Sequence, residues 1–134
     1  MRQFYMIGLL FLIFSCSLQK EIYEHNPHLL SFGSSGGFTN QTIRFKLFSD
    51  GKLWKIRGLQ NDSSLLKQLK NSQTKKLFKQ AYSLGIDTLK YDGPGNMSKF
   101  INFKSNKFDN KIIWSGKNER LDSFYNSLLE ITKN

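Results

Sequence analysis

The stretch from Thr42 to Arg57 constrains this chain more than any other. Thr-Ile-Arg-Phe-Lys-Leu-Phe alternates apolar and polar residues, so Ile43, Phe45 and Leu47 share one side of a strand. Ser49-Asp-Gly51 interrupts it, and Lys-Leu-Trp-Lys-Ile-Arg57 follows with Trp54 and Ile56 on one side. An Asp-Gly pair between two such runs is a hairpin signature. A hairpin of this kind is stable only with a cover over its apolar side, and two later segments offer one. Leu77, Phe78, Ala81, Tyr82 and Leu84 fall at helical spacing, with Ser72 as the expected N-cap and Gly85 as the stop. Leu121, Phe124, Tyr125, Leu128 and Ile131 form a second stripe within a helix expected over 119–132.

Further strand signals surround these elements. Leu29-Leu-Ser-Phe32 is short and apolar and runs into Gly33-Ser-Ser-Gly-Gly37. Residues 65–70 fit a strand or a short helix equally well. Asp92-Gly-Pro-Gly-Asn96 breaks the chain, and a second hairpin is expected from 98–104 and 111–114 around a loop at 106–110. The order hairpin, helix, hairpin, helix predicts an α+β, two-layer sandwich. It would be an antiparallel sheet of four or five strands with both helices on one face. The domain is expected to occupy 28–134, enough for a single core.

The N-terminus reads differently. Arg2 precedes the apolar run Phe4–Phe14, then come Ser15, the lone cysteine Cys16, and the polar Ser17-Leu-Gln-Lys20. Eleven apolar residues make a helix of roughly 16 Å, too short to span a bilayer, so a secretory signal is the expectation for 1–15. Ile13-Phe-Ser-Cys16 resembles the lipobox of bacterial lipoproteins. The resemblance implies acylation of Cys16, a lipid anchor in the cell envelope, and a tether over 16–27. Ser17, in place of the acidic residue of inner-membrane retention, implies the outer membrane. An ordinary secretory signal, or an uncleaved anchor, is the alternative. Absence of any other cysteine rules out a disulfide framework or thiol nucleophile further along the chain.

Within the domain, Ser31-Phe-Gly-Ser-Ser-Gly-Gly-Phe-Thr39, Ser49-Asp-Gly-Lys-Leu53, Pro94-Gly-Asn-Met-Ser98 and Ile112-Ile-Trp114 are similar to segments of a group of small uncharacterised bacterial lipoproteins. That resemblance implies a location and a fold, and supplies no catalytic residues.

Candidate chemistry is sparse. Gly33-Ser-Ser-Gly-Gly37 fits G-x-S-x-G, but a β pattern follows it and no histidine comes after His28. Those glycines read as conformational. Glu21, Glu24, His25 and His28 include an H-x-x-H straddling Pro27, where a rigid metal site is not expected. Neither metal nor cofactor is expected. Asp50, Asp62, Asp92 and Asp109 sit at turns, where Asp bonds its own backbone. Lys and Arg exceed Asp and Glu by ten, which favours anionic partners. Nucleic acid is disfavoured for an exported chain. With Ile43, Phe45, Leu47, Trp54, Ile56, Ile101 and Phe103 facing the helices, the other sheet face would carry Arg44, Lys46, Lys55, Arg57 and Lys104 beside Phe48 and Phe100. These cations and rings are the candidate surface for an anionic lipid, a glycan or an envelope protein. An envelope enzyme acting on cell-wall material, or an inhibitor module, stands as the alternative.

Overall fold

A computed structural model describes residues 28–36, 42–58 and 60–133. The expected signal segment over 1–15 and the expected tether over 16–27, with Cys16, fall outside the described residues. The chain forms seven strands and two helices. In order these are β1 (Leu29–Gly36), β2 (Ile43–Phe48), β3 (Lys52–Arg57), β4 (Asp62–Gln68), α1 (Asn71–Ser83), β5 (Asp92–Gly93), β6 (Met97–Lys104), β7 (Asp109–Trp114) and α2 (Glu119–Glu130). The class is α+β, as the patterns predict. The sheet is larger than expected and mixed: seven strands in the order β4-β3-β2-β1-β6-β7-β5. All pairs are antiparallel except β5 with β7, which is parallel.

Residues 62–68, overlapping the 65–70 that fit strand or helix, and the Asp92-Gly93 pair bring the count to seven. Residues 62–68 pair with β3 as an edge strand, and the shift of register between Leu53 and Trp54 leaves Leu66 as a bulged residue. The bulge breaks the alternation, which is why the sequence read equally as helix. The Asp92-Gly93 pair, expected only as a breaker, lies beside Ile113 and Trp114. The loop between β6 and β7 is tighter than 106–110: Ser105 N–H donates to Phe108 O at 2.8 Å, and β7 begins at Asp109.

Register explains where the core sits. Paired residues across a sheet share a face. Leu30 opposes Leu47 and Phe103, while Phe32 opposes Phe45 and Ile101. Leu53 opposes Leu47, and Ile112 opposes Ile101. These residues, with Trp114, form one buried cluster with Leu77, Phe78 and Ala81 of α1 and Leu121, Phe124, Tyr125 and Leu128 of α2. Side chains of this size each contribute about 1.5–3 kcal/mol when fully buried.

The helix ends follow local chemistry. Gly85 at φ +70° closes α1: its N–H donates to Tyr82 O, and Ile86 N–H donates to Ala81 O. The N-terminus differs from expectation, since Lys70 is the N-cap and Ser72 lies inside the first turn. Leu69 N–H is already held by Gly51 O at 2.9 Å, so the chain turns into the helix two residues earlier. Asn118 caps α2 by accepting the Leu121 N–H at 3.2 Å.

Candidate functional site

The sheet face away from the core cluster is built from alternate residues of β1, β2, β3, β6 and β7. Arg44 and Lys46 stand two apart on β2, with Phe48 next in the row. Arg44 opposes Ile56 and Lys46 opposes Trp54. Arg44, Lys46, Phe48, Asp50, Lys52, Trp54, Ile56, Asn61 and Ser63 line an open hollow of about 730 Å³. A second depression of about 470 Å³ continues across Arg44 and Lys46 to Phe100, Asn102, Lys104 and Lys111. The face thus carries Arg44, Lys46, Lys52, Lys104 and Lys111 around the rings of Phe48, Trp54 and Phe100.

Three of the five expected cations are here: Arg44, Lys46 and Lys104. Lys55 and Arg57 are not. Lys55 opposes Phe45, with its Nζ 5.8 Å from that ring, and Arg57 opposes Ile43, so both lie on the helix side. Trp54 and Ile56, expected in the core, lie on the open face instead.

The cause is the turn. Had Asp50-Gly51 formed a two-residue loop, Trp54 would oppose Leu47. In fact Leu53 opposes Leu47 and the loop has three residues, Ser49, Asp50 and Gly51. Gly51 adopts φ +88° and its N–H donates to Phe48 O at 2.9 Å. That is the three-residue hairpin with glycine in the left-handed position. One residue of slip turns every side chain of a strand to the other face.

Charge on the face is only partly neutralised. Lys52 pairs with Asp50, and Lys104 with Asp109, both at 3.3 Å and well exposed. Lys111 Nζ lies 5.1 Å over the Phe100 ring. The Arg44 guanidinium donates to Asn61 Oδ1, while its Nε is buried with no hydrogen-bond partner among the described residues. No described carboxylate lies within ion-pairing distance of Arg44 or Lys46. A planar guanidinium held by an amide, beside an ammonium and an indole, is suited to a carboxylate or phosphate on a ligand with an apolar surface.

Of the other candidate residues, Ser34 and Ser35 lie within β1. Glu21, Glu24 and His25 fall outside the described residues. His28 packs against Phe78, Tyr82 and Phe103, and its Nε2 lies 2.7 Å from the Tyr82 hydroxyl. Among the described residues no group of three His, Cys, Asp or Glu could hold a metal ion. No described helix is long and apolar enough to cross a membrane. Asp50 behaves as a turn aspartate, its Oδ1 accepting the Lys52 N–H at 3.0 Å. Sequence reasoning missed Lys52, Trp54, Ile56, Asn61 and Lys111. A three-residue reading of Ser49-Asp-Gly51 would have found the first three. No family model matches the chain, and no curated protein matches it in sequence.

Proposed function

We propose that this chain is a non-enzymatic binding domain of the bacterial cell envelope, held to a membrane by acylated Cys16, the outer membrane in preference to the inner. In this reading the fold is a two-layer sandwich whose helices cover one face and whose other face takes an anionic ligand. The single core cluster, shared by both helices and one side of the sheet, supports the layered reading. The observation that carries the binding reading is the pair Arg44 and Lys46, without a described carboxylate partner, lining a hollow with Trp54 and Phe48. Apart from Asp50, which is paired with Lys52, the groups converging there are cations, neutral polar groups and apolar side chains. Such groups hold a ligand by charge-assisted hydrogen bonds and stacking.

The chain has two tryptophans, and Trp114 is fully buried against Tyr125, so half-buried Trp54 is the natural reporter. Titrating the protein with polygalacturonate should change and protect Trp54 fluorescence, whereas neutral dextran should not. The double variant Arg44→Gln/Lys46→Gln should bind the acidic polymer about tenfold or more weakly, the scale of losing one or two charged hydrogen bonds. Equal binding by the variant would exclude this face.

A further inference from the structure

The end of the sheet at which the described chain begins has a different character from the open face. The His28 carbonyl accepts the Ser49 N–H at 3.1 Å. Its ring is packed by Phe78, Tyr82 and Phe103 at 5.7–5.9 Å between centroids. The first described residue is therefore fixed at this end of the sheet. Leu29 opposes Phe48 on one side and Lys104 on the other, so the loops after β2 and β6 flank this point. Tyr82 lies edge-on across Phe103 and Phe108 at 4.8 and 5.9 Å. Phe48 and Tyr82 nevertheless remain 38% and 43% exposed. Exposed lysines surround them: Lys52 and Lys104 at the strand ends, Lys107 in the loop, and Lys79 three residues before Tyr82 on α1.

We propose that this end docks on an anionic phospholipid surface, with Tyr82 and Phe48 at the headgroup boundary and the four lysines on lipid phosphates. Tyrosine is suited to that boundary because its ring is apolar and its hydroxyl is wet. Asp50 and Asp109 oppose the attraction, yet their pairs with Lys52 and Lys104 have side chains more than half exposed, and such pairs are weak. A bilayer suits this place better than a soluble anion, because the segment leading to Cys16 joins the domain here. On the anchor reading, residues 17–27 extended reach roughly 35 Å. Tethering at that range gives an effective concentration on the order of millimolar, so a weak contact would be occupied. The strands would then stand away from the bilayer, and the Arg44 hollow would open sideways.

Docking itself does not require the acyl group, and the test uses that. The whole chain carrying Cys16→Ser should float with phosphatidylcholine vesicles containing a quarter phosphatidylglycerol, more than with phosphatidylcholine alone. Adding K52Q, K79Q, K104Q and K107Q should lower partitioning to the anionic vesicles about a hundredfold, taking roughly fivefold per lysine and discounting the two paired ones. The segment 4–14 and Arg2 are common to all variants and cancel in the comparison. A charge-matched control, K55Q in the middle of β3 with R57Q, K117Q and R120Q toward the opposite end, should retain binding. Equal losses in both quadruple variants, or no preference for anionic vesicles, would overturn the proposal. A bare Cys16 thiol in the native host, with the vesicle preference intact, would remove the anchor reading and leave the docking surface standing.

Discussion

Three donors converge on the carboxylate of Asp122. Lys99 Nζ donates at 2.6 Å and Trp114 Nε1 at 3.0 Å to one oxygen, and the Asn118 N–H donates at 2.9 Å to the other. Lys99 reaches Asp122 because its strand position opposes Trp114, over whose ring its ammonium lies at 5.9 Å. One first-turn residue thus joins α2 to β6 and β7, and the negative charge sits favourably at a helix N-terminus. The Lys99 bond first, then those from Asn118 and Trp114, lower the Asp122 pKa from 3.8 to about 2. A carboxylate held below its unfolded pKa stabilises the fold above that value and loses this contribution as pH falls. The acid limb of a stability curve should therefore steepen between pH 3.8 and about 2, and Asp122→Asn should flatten that interval when urea midpoints are followed against pH. Asp122→Ala, which leaves the indole N–H of fully buried Trp114 without its acceptor, should cost about 2 kcal/mol at neutral pH.

Among the elements, the β2–β3 hairpin shows what a pattern can and cannot specify. Its two strands were legible from alternation alone, but β3 has apolar residues on both sides, Leu53 on one and Trp54 with Ile56 on the other. Hydrophobicity therefore allowed either register, and the loop decided. Gly51 is buried at φ +88°, and a Cβ there would meet Leu69 O at 2.7 Å and Thr74 Oγ1 at 3.1 Å. Gly51→Ala should therefore destabilise by about 1–3 kcal/mol in chemical denaturation. The register makes a sharper prediction. Leu53→Ala opens a cavity in the core and should cost about 2–5 kcal/mol, whereas Trp54→Ala, on the open face, should cost nearer 1 kcal/mol despite removing the larger side chain. The reverse order would restore the two-residue turn. Helices were easier to read because one stripe has one possible partner: all five apolar residues of the α2 stripe are buried. β5 was not legible, since two residues have no period and are strand only through pairing with Ile113 and Trp114. The bulge at Leu66 hid β4 for the opposite reason, by interrupting a period that exists.

For the molecule as a whole, the sequence revealed an excess of cations but not how they divide between faces. Arg44, Lys46 and Lys104 could be placed because β2 and β6 carry their large apolar residues mainly on one side, while Lys55 and Arg57 depended on the ambiguous strand. An excess of ten positive charges has two separable consequences. The first is diffuse. Like charges repel in the compact state, so raising ionic strength toward physiological values should raise the thermal midpoint of any variant through screening. The second is local. A polyvalent anion resting on Arg44 and Lys46 binds the folded state and adds RT ln(1 + [L]/Kd), about 1.4 kcal/mol at ten times Kd. Chloride and phosphate at matched ionic strength screen alike, so any extra stabilisation by phosphate reports occupancy of a site. Phosphate is also a general stabiliser through exclusion from protein surfaces, and a variant is needed to separate that effect. Arg44→Gln/Lys46→Gln should keep the ionic-strength response and the general phosphate effect but lose the saturable increment at millimolar phosphate. The control Lys55→Gln/Arg57→Gln, on the opposite face of the neighbouring strand and with the same change in net charge, should keep all three. A phosphate increment that survives equally in both double variants would mean that the cations of the open face act only as a diffuse field, and the hollow would then have no specific part in binding anions.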